Sequence, residues 1–338
     1  MFVPFQTGAS ATRRISLDTI REAAGIVYEA AVRTPMVRLD AATPLDRPGP
    51  DVFLKLETLQ PIGSFKIRGA YNAVRHLTPE QLARGVWTVS AGNAAQGVAL
   101  AARKAGARAS VLVMDTAPAT KLRAIERLGA TIVQASYEEC WHAVETHQSD
   151  RMQGHFVHPF DDDRFISGNG TIGLEIVEDL ADVDAVIAPI GGGGLLAGAA
   201  IALKALRPGI KVYAAEPATA APLAQSFASN RPSYFDGWTA SFVDGAGGKS
   251  VLETMWPLLR EHVDDSIVVS LDEVAAAMAV AAERAHVIAE GAAGCAVAAA
   301  LSPEMASKGH RKVVAIVSGG NIDLARFAAL VTARPYAP

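Results

Sequence analysis

Short apolar runs alternate with segments of helical spacing along most of the chain. Runs of this length, bounded by turn residues, predict buried strands. We place these strands at 52–56, 86–89, 111–114, 131–133, 156–157, 185–188, 212–215 and 313–317. Apolar residues three and four positions apart predict helices at 17–31, 66–77, 96–104, 119–128, 137–147, 171–180, 195–206, 251–261 and 271–289.

The order of these elements predicts the fold class. Strands that alternate with helices pair in parallel through right-handed crossovers. We therefore expect an α/β protein with two open, mainly parallel sheets and flanking helices. The stretch 231–249 is rich in glycine, serine and aromatic residues, and we expect it to be a long loop.

Composition and charge exclude several classes of protein. The chain has 338 residues, enough for about two domains, and its 50% hydrophobic and 20% charged residues are ordinary for a globular protein. The net charge of -4, with both signs interspersed, gives no surface for nucleic acid. The most apolar segment, 183–206, is interrupted by glycines, a proline and Asp184, so we do not expect it to span a membrane.

The first residues of the chain and its two cysteines indicate the cellular compartment. No apolar signal-peptide core precedes Arg13 and Arg14. Cys140 and Cys295 are isolated in the sequence, and such cysteines are more often buried small hydrophobes than a disulfide. We therefore expect a cytoplasmic protein.

One lysine is distinguished by its neighbours. Lys66 lies between Phe65 and Ile67, just after a Pro-x-Gly turn, and is predicted to open a helix. Apolar surroundings disfavour a charged amine, and a neutral amine is what a Schiff base with an aldehyde requires. Most lysines are solvated surface residues, so position alone does not make this one catalytic.

Two glycine-containing turns connect predicted strands to predicted helices, where ligands bind in open parallel sheets. The run 191–194 consists of four glycines, whose backbone N–H groups can surround a phosphate that side chains would obstruct. The turn 90–97 opens a helix, which suits a carboxylate, and Asn93 adds a donor for a phenolate-like oxygen. A flexible linker and a capped turn are the alternatives for these two stretches.

Two further polar residues lie near such turns. Ser318 follows the last predicted strand, and its hydroxyl group could pair with a ring nitrogen. Glu290 follows the long apolar helix; by itself it is a helix-end cap or salt-bridge partner, and we include it among the cofactor contacts. A reactive lysine, a glycine cup, an asparagine and a serine together describe a site for pyridoxal 5'-phosphate (PLP).

The run 55–70, KLETLQPIGSFKIRGA, resembles the cofactor-lysine motif of the threonine dehydratase and serine racemase family. This family belongs to the tryptophan-synthase-β-like (fold type II) pyridoxal enzymes. Its other signature turns resemble this chain, in order and spacing, at 33–35, 90–97, 158–160, 168–171, 191–195 and 318–321. The resemblance covers about residues 17–330. It implies a large PLP-binding domain formed by 1–75 and 163–338, and a small mobile domain, 76–162, that closes over substrate.

The resemblance also implies residue roles. Lys66 bonds to the cofactor and then removes the Cα proton of the substrate, while Phe65 packs beside the ring. Asn93 bonds the ring hydroxyl group, and Ser318 meets the pyridine nitrogen. The phosphate is held by Gly191, Gly192, Gly193, Gly194 and Leu195. The substrate carboxylate lies against Ser90, Ala91, Gly92, Asn93 and Ala94.

From these roles we expect a PLP-dependent ammonia-lyase that eliminates the β-hydroxyl group of threonine or serine, giving a 2-oxo acid and ammonia. A neutral serine at the ring nitrogen weakens the ring as an electron sink, which favours elimination over transamination. Family dehydratases commonly carry a histidine where this chain has Ala94, so a bulkier substrate such as 3-phenylserine is a further hypothesis.

Two other functions stay open. The first is a serine-type amino-acid racemase on the same scaffold, although Ala91 stands where racemases of the family carry a serine. The second is a non-catalytic protein that binds PLP or an amino acid.

Metal and partner expectations follow from the same resemblance. The family's cation site uses a Glu-Pro strand end and an acidic residue six positions later. Here Glu216 is present but Pro222 stands at the later position, so we expect no divalent metal, with Glu216 as the one candidate ligand. A monovalent ion held by carbonyl groups is the alternative that stays open. We expect a small amino-acid substrate and a homodimer, because relatives are often dimers.

Overall fold

Within residues 13–39 and 49–333, which the computed structural model describes, ten strands form two sheets. The strands are β1 (Met36–Arg38), β2 (Asp51–Leu56), β3 (Val86–Val89), β4 (Ala109–Met114), β5 (Thr131–Ala135), β6 (His155–Phe156), β7 (Ala185–Pro189), β8 (Lys211–Pro217), β9 (Asp265–Val269) and β10 (Lys312–Val317). The larger sheet has the order β1-β2-β10-β7-β8-β9, and the smaller has the order β5-β4-β3-β6. Only β1 runs antiparallel to its neighbour in these described sheets. The predicted α/β class with two mainly parallel sheets is confirmed.

Helices flank both sheets in the same described ranges. They are α1 (Leu17–Val27), α2 (Lys66–Arg75), α3 (Pro79–Arg84), α4 (Asn93–Lys104), α5 (Ala119–Arg127), α6 (Tyr137–Thr146), α7 (Asp163–Asp179), α8 (Gly194–Leu206), α9 (Pro222–Ser229), α10 (Trp256–His262), α11 (Leu271–Ala285), α12 (Gly291–Leu301), α13 (Pro303–Ser307) and α14 (Leu324–Thr332). A 3-10 turn, Glu57–Leu59, follows β2. No helix in the described part of the chain is long and apolar enough to cross a membrane.

The larger sheet is buried on both faces. Val314 and Ile316 of β10 pack into one core cluster with α7 and α8, whereas Val313, Ala315 and Val317 pack into another with α11 and α12. Burial on both faces explains why this strand is a continuous apolar run rather than an alternating one. Cys140 and Cys295 are buried and free, as the sequence predicted.

The sequence pattern missed several elements, of which α12 is the most instructive. Ten of its eleven residues are buried, so it has no polar face and no helical periodicity. The helix predicted at 271–289 ends at Ala285, because His286 takes a left-handed conformation with φ of 57°. Strand β9 and helix α9 were also absent from the prediction.

Helix α7 begins earlier than predicted and continues through a glycine-rich stretch. A Cβ atom at Gly168 would lie 2.5 Å from the Arg68 carbonyl oxygen, and one at Gly170 would lie 2.9 Å from that of Gly198. The glycines therefore allow α7 to approach α2 and α8 closely, and this packing outweighs their low helix propensity.

The sheet formed by β3, β4, β5 and β6 lies entirely inside the predicted small domain, 76–162. The domain boundaries and the mobility of that domain stay predictions. Residues 1–12, 40–48 and 334–338 of the predicted large domain lie outside the described residues, as does most of the chain start judged to lack a signal peptide.

Four charged side chains are fully buried together beneath α2. Arg68 donates through Nε to Glu57 Oε2 (2.8 Å) and through a terminal nitrogen to Glu175 Oε1 (2.6 Å). Lys55 Nζ lies 2.6 Å from Glu175 Oε2 and donates to the Thr34 carbonyl oxygen. All four charged side chains are 0% exposed, and their two positive and two negative charges balance.

This buried cluster joins β2, the 3-10 turn, α2 and α7. Burial opposes ionisation of Glu175, but the charge and hydrogen bonds of Arg68 prevail and lower the pKa of Glu175. Removing one member of such a cluster leaves an uncompensated charge in the interior, which costs far more than losing a surface ion pair.

We expect Arg68→Met to lower the free energy of unfolding by about 3–5 kcal/mol, because Glu57 and Glu175 lose their guanidinium partner. Urea unfolding measures the loss. The control is Arg33→Met, which breaks half-exposed ion pairs with Glu178 and Asp179 and should cost at most about 1 kcal/mol. Equal losses in the two variants would contradict the importance of the buried cluster.

Candidate active site

Four polar turns meet at the carboxyl ends of the strands. The lysine turn after β2 is bonded to the turn after the adjacent β10: Phe65 N donates to the Ser318 carbonyl oxygen (3.0 Å), and Gly320 N donates to that of Gly63 (2.9 Å). The turns after β3 and β7 lie around the same cavity, which has a volume of about 390 Å³.

Every candidate contact residue for cofactor or substrate from the sequence analysis lines this one cavity. They are Phe65, Lys66, Ser90, Ala91, Gly92, Asn93, Ala94, Gly191, Gly192, Gly193, Gly194, Leu195, Glu290 and Ser318. The structure thus brings them together, while the contact that each makes with cofactor or substrate stays a prediction.

Lys66 is the first residue of α2, and its Nζ donates to the Pro159 carbonyl oxygen at 2.6 Å. The ring centroids of Phe65 and Phe165 lie 5.2 and 5.3 Å from Nζ. This burial lowers the pKa of Lys66 to about 8, although the Glu290 charge acts in the opposite direction. About one amine in ten is then neutral at pH 7, against fewer than about one in two thousand for an ordinary lysine.

The glycine run leads directly into α8. Gly193 is its N-cap with φ of 90°, and no side chain caps the helix. A Cβ atom at Gly192 would lie 2.1 Å from the Phe160 ring, and one at Gly194 would lie 2.4 Å from the Phe160 carbonyl oxygen. Close packing by Phe160 therefore requires glycine here and leaves backbone N–H groups at the cavity wall.

Helix α4 also begins at the cavity without a side-chain cap. Ser90 Oγ accepts from Gly92 N at 3.0 Å, so it shapes the turn before the helix. By contrast, the N-cap side chain bonds the first turn in seven helices of the described ranges: α1, α3, α6, α7, α11, α13 and α14. Uncapped helix starts carry partial positive charge, so α4 and α8 provide two anion-binding positions in one cavity.

Asn93 is held in a chain of polar groups. Its Nδ2 donates to Glu290 Oε1 (2.8 Å), and its Oδ1 accepts from Asn321 Nδ2 (2.7 Å). Burial, followed by the negative charge of Asp244, raises the pKa of Glu290 to about 7. Glu290 stands at a helix end, as the N-cap residue of α12, but its side chain accepts from the Asn93 amide and does not bond the first turn of that helix.

Ser318 is buried at the wall of the cavity. Among the described residues its hydroxyl group has no hydrogen-bond partner. The hydroxyl can therefore donate to, or accept from, a polar atom of a bound molecule.

Lys121 was not among the site residues predicted from the sequence. Lys121 lines the cavity and forms an ion pair with Asp244 in the loop 231–249. Trp141 and Met114 line the same region. Because 123 residues separate Lys121 from Asp244, no local pattern could have revealed this pair.

Glu216 lies away from the cavity and is fully buried. Its carboxylate accepts from Leu223 N, Ala224 N and Ser266 Oγ at 2.8, 2.8 and 2.6 Å. No group of three or more histidine, cysteine, aspartate or glutamate residues in the described ranges could hold a metal ion. In this structure Glu216 bonds the first turn of α9 and a serine.

Comparison with protein families matches residues 27–319 to the family described as pyridoxal-phosphate dependent enzyme. The chain belongs to this family. L-threonine ammonia-lyase from Thermotoga maritima is 38% identical over 312 residues, covering 92% of this chain and 76% of that protein. The catabolic L-threonine dehydratase TdcB from Staphylococcus aureus is 38% identical over 322 residues, covering 94% of this chain and 92% of that protein. Maize serine racemase superposes with a TM-score of 0.84 at 35% identity, covering 94% of this chain and 97% of that one.

The cavity of this PLP-dependent enzyme suits its cofactor. The glycine run and the uncapped start of α8 fit a phosphate, and the partly neutral amine of Lys66 fits an aldehyde. The Asn93 amide and the Ser318 hydroxyl offer polar atoms to the heteroatoms of a ring. When bound, PLP supplies an aldehyde for covalent attachment and a ring that withdraws electrons from the substrate.

We expect the rate at which the apoenzyme captures PLP covalently to rise with pH around a midpoint near 8, because the neutral Lys66 amine is the nucleophile. Glu290→Gln should move this midpoint to lower pH, because the Glu290 charge favours the protonated amine. Absorbance of the bound cofactor measures the rate, and borohydride reduction with peptide mapping identifies the labelled residue. A midpoint near 10.5 would contradict the burial of Lys66, and Lys66→Ala should remain unlabelled.

We expect Gly192→Ala to weaken PLP binding at least about tenfold, because the added Cβ atom displaces Phe160 or the phosphate loop and so loses charge-assisted hydrogen bonds. Equilibrium titration of the apoenzyme measures the Kd. The matched control is Gly25→Ala in α1, where a Cβ atom would meet nothing within 4 Å. An unchanged Kd for Gly192→Ala would show that the loop tolerates the methyl group.

Proposed function

We propose that this PLP-dependent enzyme is an ammonia-lyase that converts threonine or serine to a 2-oxo acid and ammonia. The observation that carries the proposal is the convergence, in one cavity, of a partly neutral lysine with the uncapped starts of α4 and α8. One helix start suits the cofactor phosphate and the other the substrate carboxylate. The names of the two relatives at 38% identity support the same activity.

The chain's own residues divide the work in this proposal. The N–H groups at the start of α4 hold the substrate carboxylate, which fixes the direction of the Cα–H bond. Lys66 Nζ accepts the Cα proton, and the β-hydroxyl group leaves Cβ with the electrons of the C–O bond; this proton and this hydroxyl group together make up one water. Hydrolysis then consumes one water and releases ammonia, so the net products are the 2-oxo acid and ammonia.

Three features favour elimination over the alternatives. The Ser318 hydroxyl is a neutral partner for the ring nitrogen, in contrast to a carboxylate, and leaves the ring a weaker electron sink. Racemisation needs a proton donor on the face of the substrate opposite Lys66, and the methyl group of Ala91 cannot supply one. A protein that only binds PLP or an amino acid does not require a lysine with a lowered pKa, whereas a lysine that accepts a proton does.

The test is a panel of amino acids given to the PLP-loaded enzyme. The panel contains both enantiomers of threonine, serine and 3-phenylserine. For each amino acid, the release of ammonia, the formation of a 2-oxo acid and the change in chirality are measured. Ammonia and 2-oxo acid from threonine or serine, absent in Lys66→Ala, support the lyase. Interconversion of enantiomers without ammonia would identify a racemase, and a bound chromophore without any turnover would identify a binding protein.

Ala94 bears on the size of the substrate. It lines the same cavity as Trp141 and Met114, and its methyl group occupies less of that cavity than a histidine side chain would. We expect Ala94→His to lower the ratio of kcat/KM for 3-phenylserine to that for threonine at least about tenfold, because an imidazole fills this space. The threonine value in the same variant is the internal control. An unchanged ratio would remove Ala94 as a determinant of specificity.

A further inference from the structure

His158 is a buried residue just after β6 that the reaction scheme above does not use. Its side chain is bonded to its own turn: Nδ1 accepts from Phe160 N at 3.2 Å and from Asp161 N at 2.7 Å. The residue is 3% exposed, and its ring packs edge-on against those of His147 and Phe160. A histidine here replaces the aspartate or asparagine that usually closes such a turn.

The bond to Phe160 acts on the peptide group that contacts Lys66. The C=O of Pro159 and the N–H of Phe160 belong to one planar trans peptide, so they point in opposite directions. One side of this peptide donates to His158 Nδ1, and the other side accepts from Lys66 Nζ at 2.6 Å. The imidazole therefore fixes the direction of the carbonyl group that holds the reactive amine.

The same turn also contacts the glycine run. The Phe160 ring and its carbonyl oxygen lie where Cβ atoms at Gly192 and Gly194 would be. A displaced turn would thus disturb both the amine and the proposed phosphate site.

The turn requires one form of the imidazole. Nδ1 can accept two hydrogen bonds only when it carries no proton, so the neutral ring must be protonated at Nε2. Burial keeps the ring neutral because it lowers the pKa of His158 to about 3, and the two N–H groups that face Nδ1 then select the tautomer with its proton on Nε2.

We propose that His158 is a positioning residue, whose Nδ1 aligns the Pro159 carbonyl group so that Lys66 is held for reaction with the cofactor and substrate. The inference rests on the proposed function in that it takes Lys66 as the reacting amine. His158 contacts no reacting atom itself.

Asparagine and glutamine form a matched pair for the test. In His158→Asn the side-chain oxygen would sit near the position of Nδ1, whereas in His158→Gln the polar end of the side chain would sit near that of Nε2. Glutamine keeps the polarity and approximate size of the side chain but moves the acceptor away from the turn. The two variants therefore separate the acceptor at Nδ1 from simple filling of the buried space.

We expect His158→Asn to capture PLP covalently within about threefold of the unaltered apoenzyme, and His158→Gln to be slower at least about tenfold, because a released lysine regains rotamer freedom. In steady state the glutamine variant should lose kcat rather than raise KM. The control is His147→Asn, at the neighbouring ring, which should leave the capture rate unchanged; asparagine suits the left-handed conformation of residue 147. Equal capture rates for His158→Asn and His158→Gln would overturn the inference.

A second measurement does not depend on how the variants fold. Nitrogen-15 NMR of histidine in the unaltered apoenzyme should show His158 neutral at pH 7 with its proton on Nε2. A proton on Nδ1 would overturn the inference. Failure of the proposed function is recognised separately, because the unaltered enzyme would then leave Lys66 unlabelled or release no ammonia.

Discussion

The geometry of the site depends on the buried cluster of Lys55, Glu57, Arg68 and Glu175. These four groups tie β2 and the 3-10 turn to α2 and α7, and α2 begins at Lys66, two residues before Arg68. Buried charges tolerate little displacement, because their desolvation is offset only when every partner is in place. The ion pairs of Arg68 with Glu57 and Glu175 therefore fix the position of the first turn of α2, and with it the position of the Lys66 amine.

Two lysines eleven residues apart show how environment sets chemistry. Lys55 is buried against the carboxylate of Glu175, so its charge is matched. Lys66 is surrounded by phenylalanine rings, and its hydrogen bond goes to the neutral carbonyl group of Pro159. Burial without a bonded carboxylate is what lowers the pKa of Lys66 and makes its amine available. The turn closed by His158 then sets where that amine points.

The helix starts show a similar division. In seven helices of the described ranges, among them α1 at Ser16 and α6 at Ser136, the N-cap side chain bonds the first turn. Where α4 and α8 begin at the cavity, no side chain caps them, and their N–H groups remain for anions. Helix α4 follows β3 of the smaller sheet and α8 follows β7 of the larger one, and both helices begin at the same cavity.

Much of this could be predicted from sequence, because local patterns carry it. Strand β10 was predicted at nearly its observed bounds, since burial on both faces leaves a continuous apolar run. The glycine run and the motif around Lys66 were recognised because each is defined by residues that are adjacent in the chain. Helix α12 was missed because burial on all sides removes the periodicity on which helix prediction relies.

The sequence by itself therefore determined the α/β class, the family and the set of candidate site residues. Only the tertiary structure decided that Glu290 bonds Asn93, that Lys121 meets Asp244 across the cavity, and that Pro159 holds Lys66. The physical reason is separation along the sequence. Helix propensity, burial pattern and turn chemistry depend on residues that are near neighbours in the chain, whereas these contacts join residues 93 to 197 positions apart. Such contacts exist only once the sheets and their crossovers have brought distant segments together.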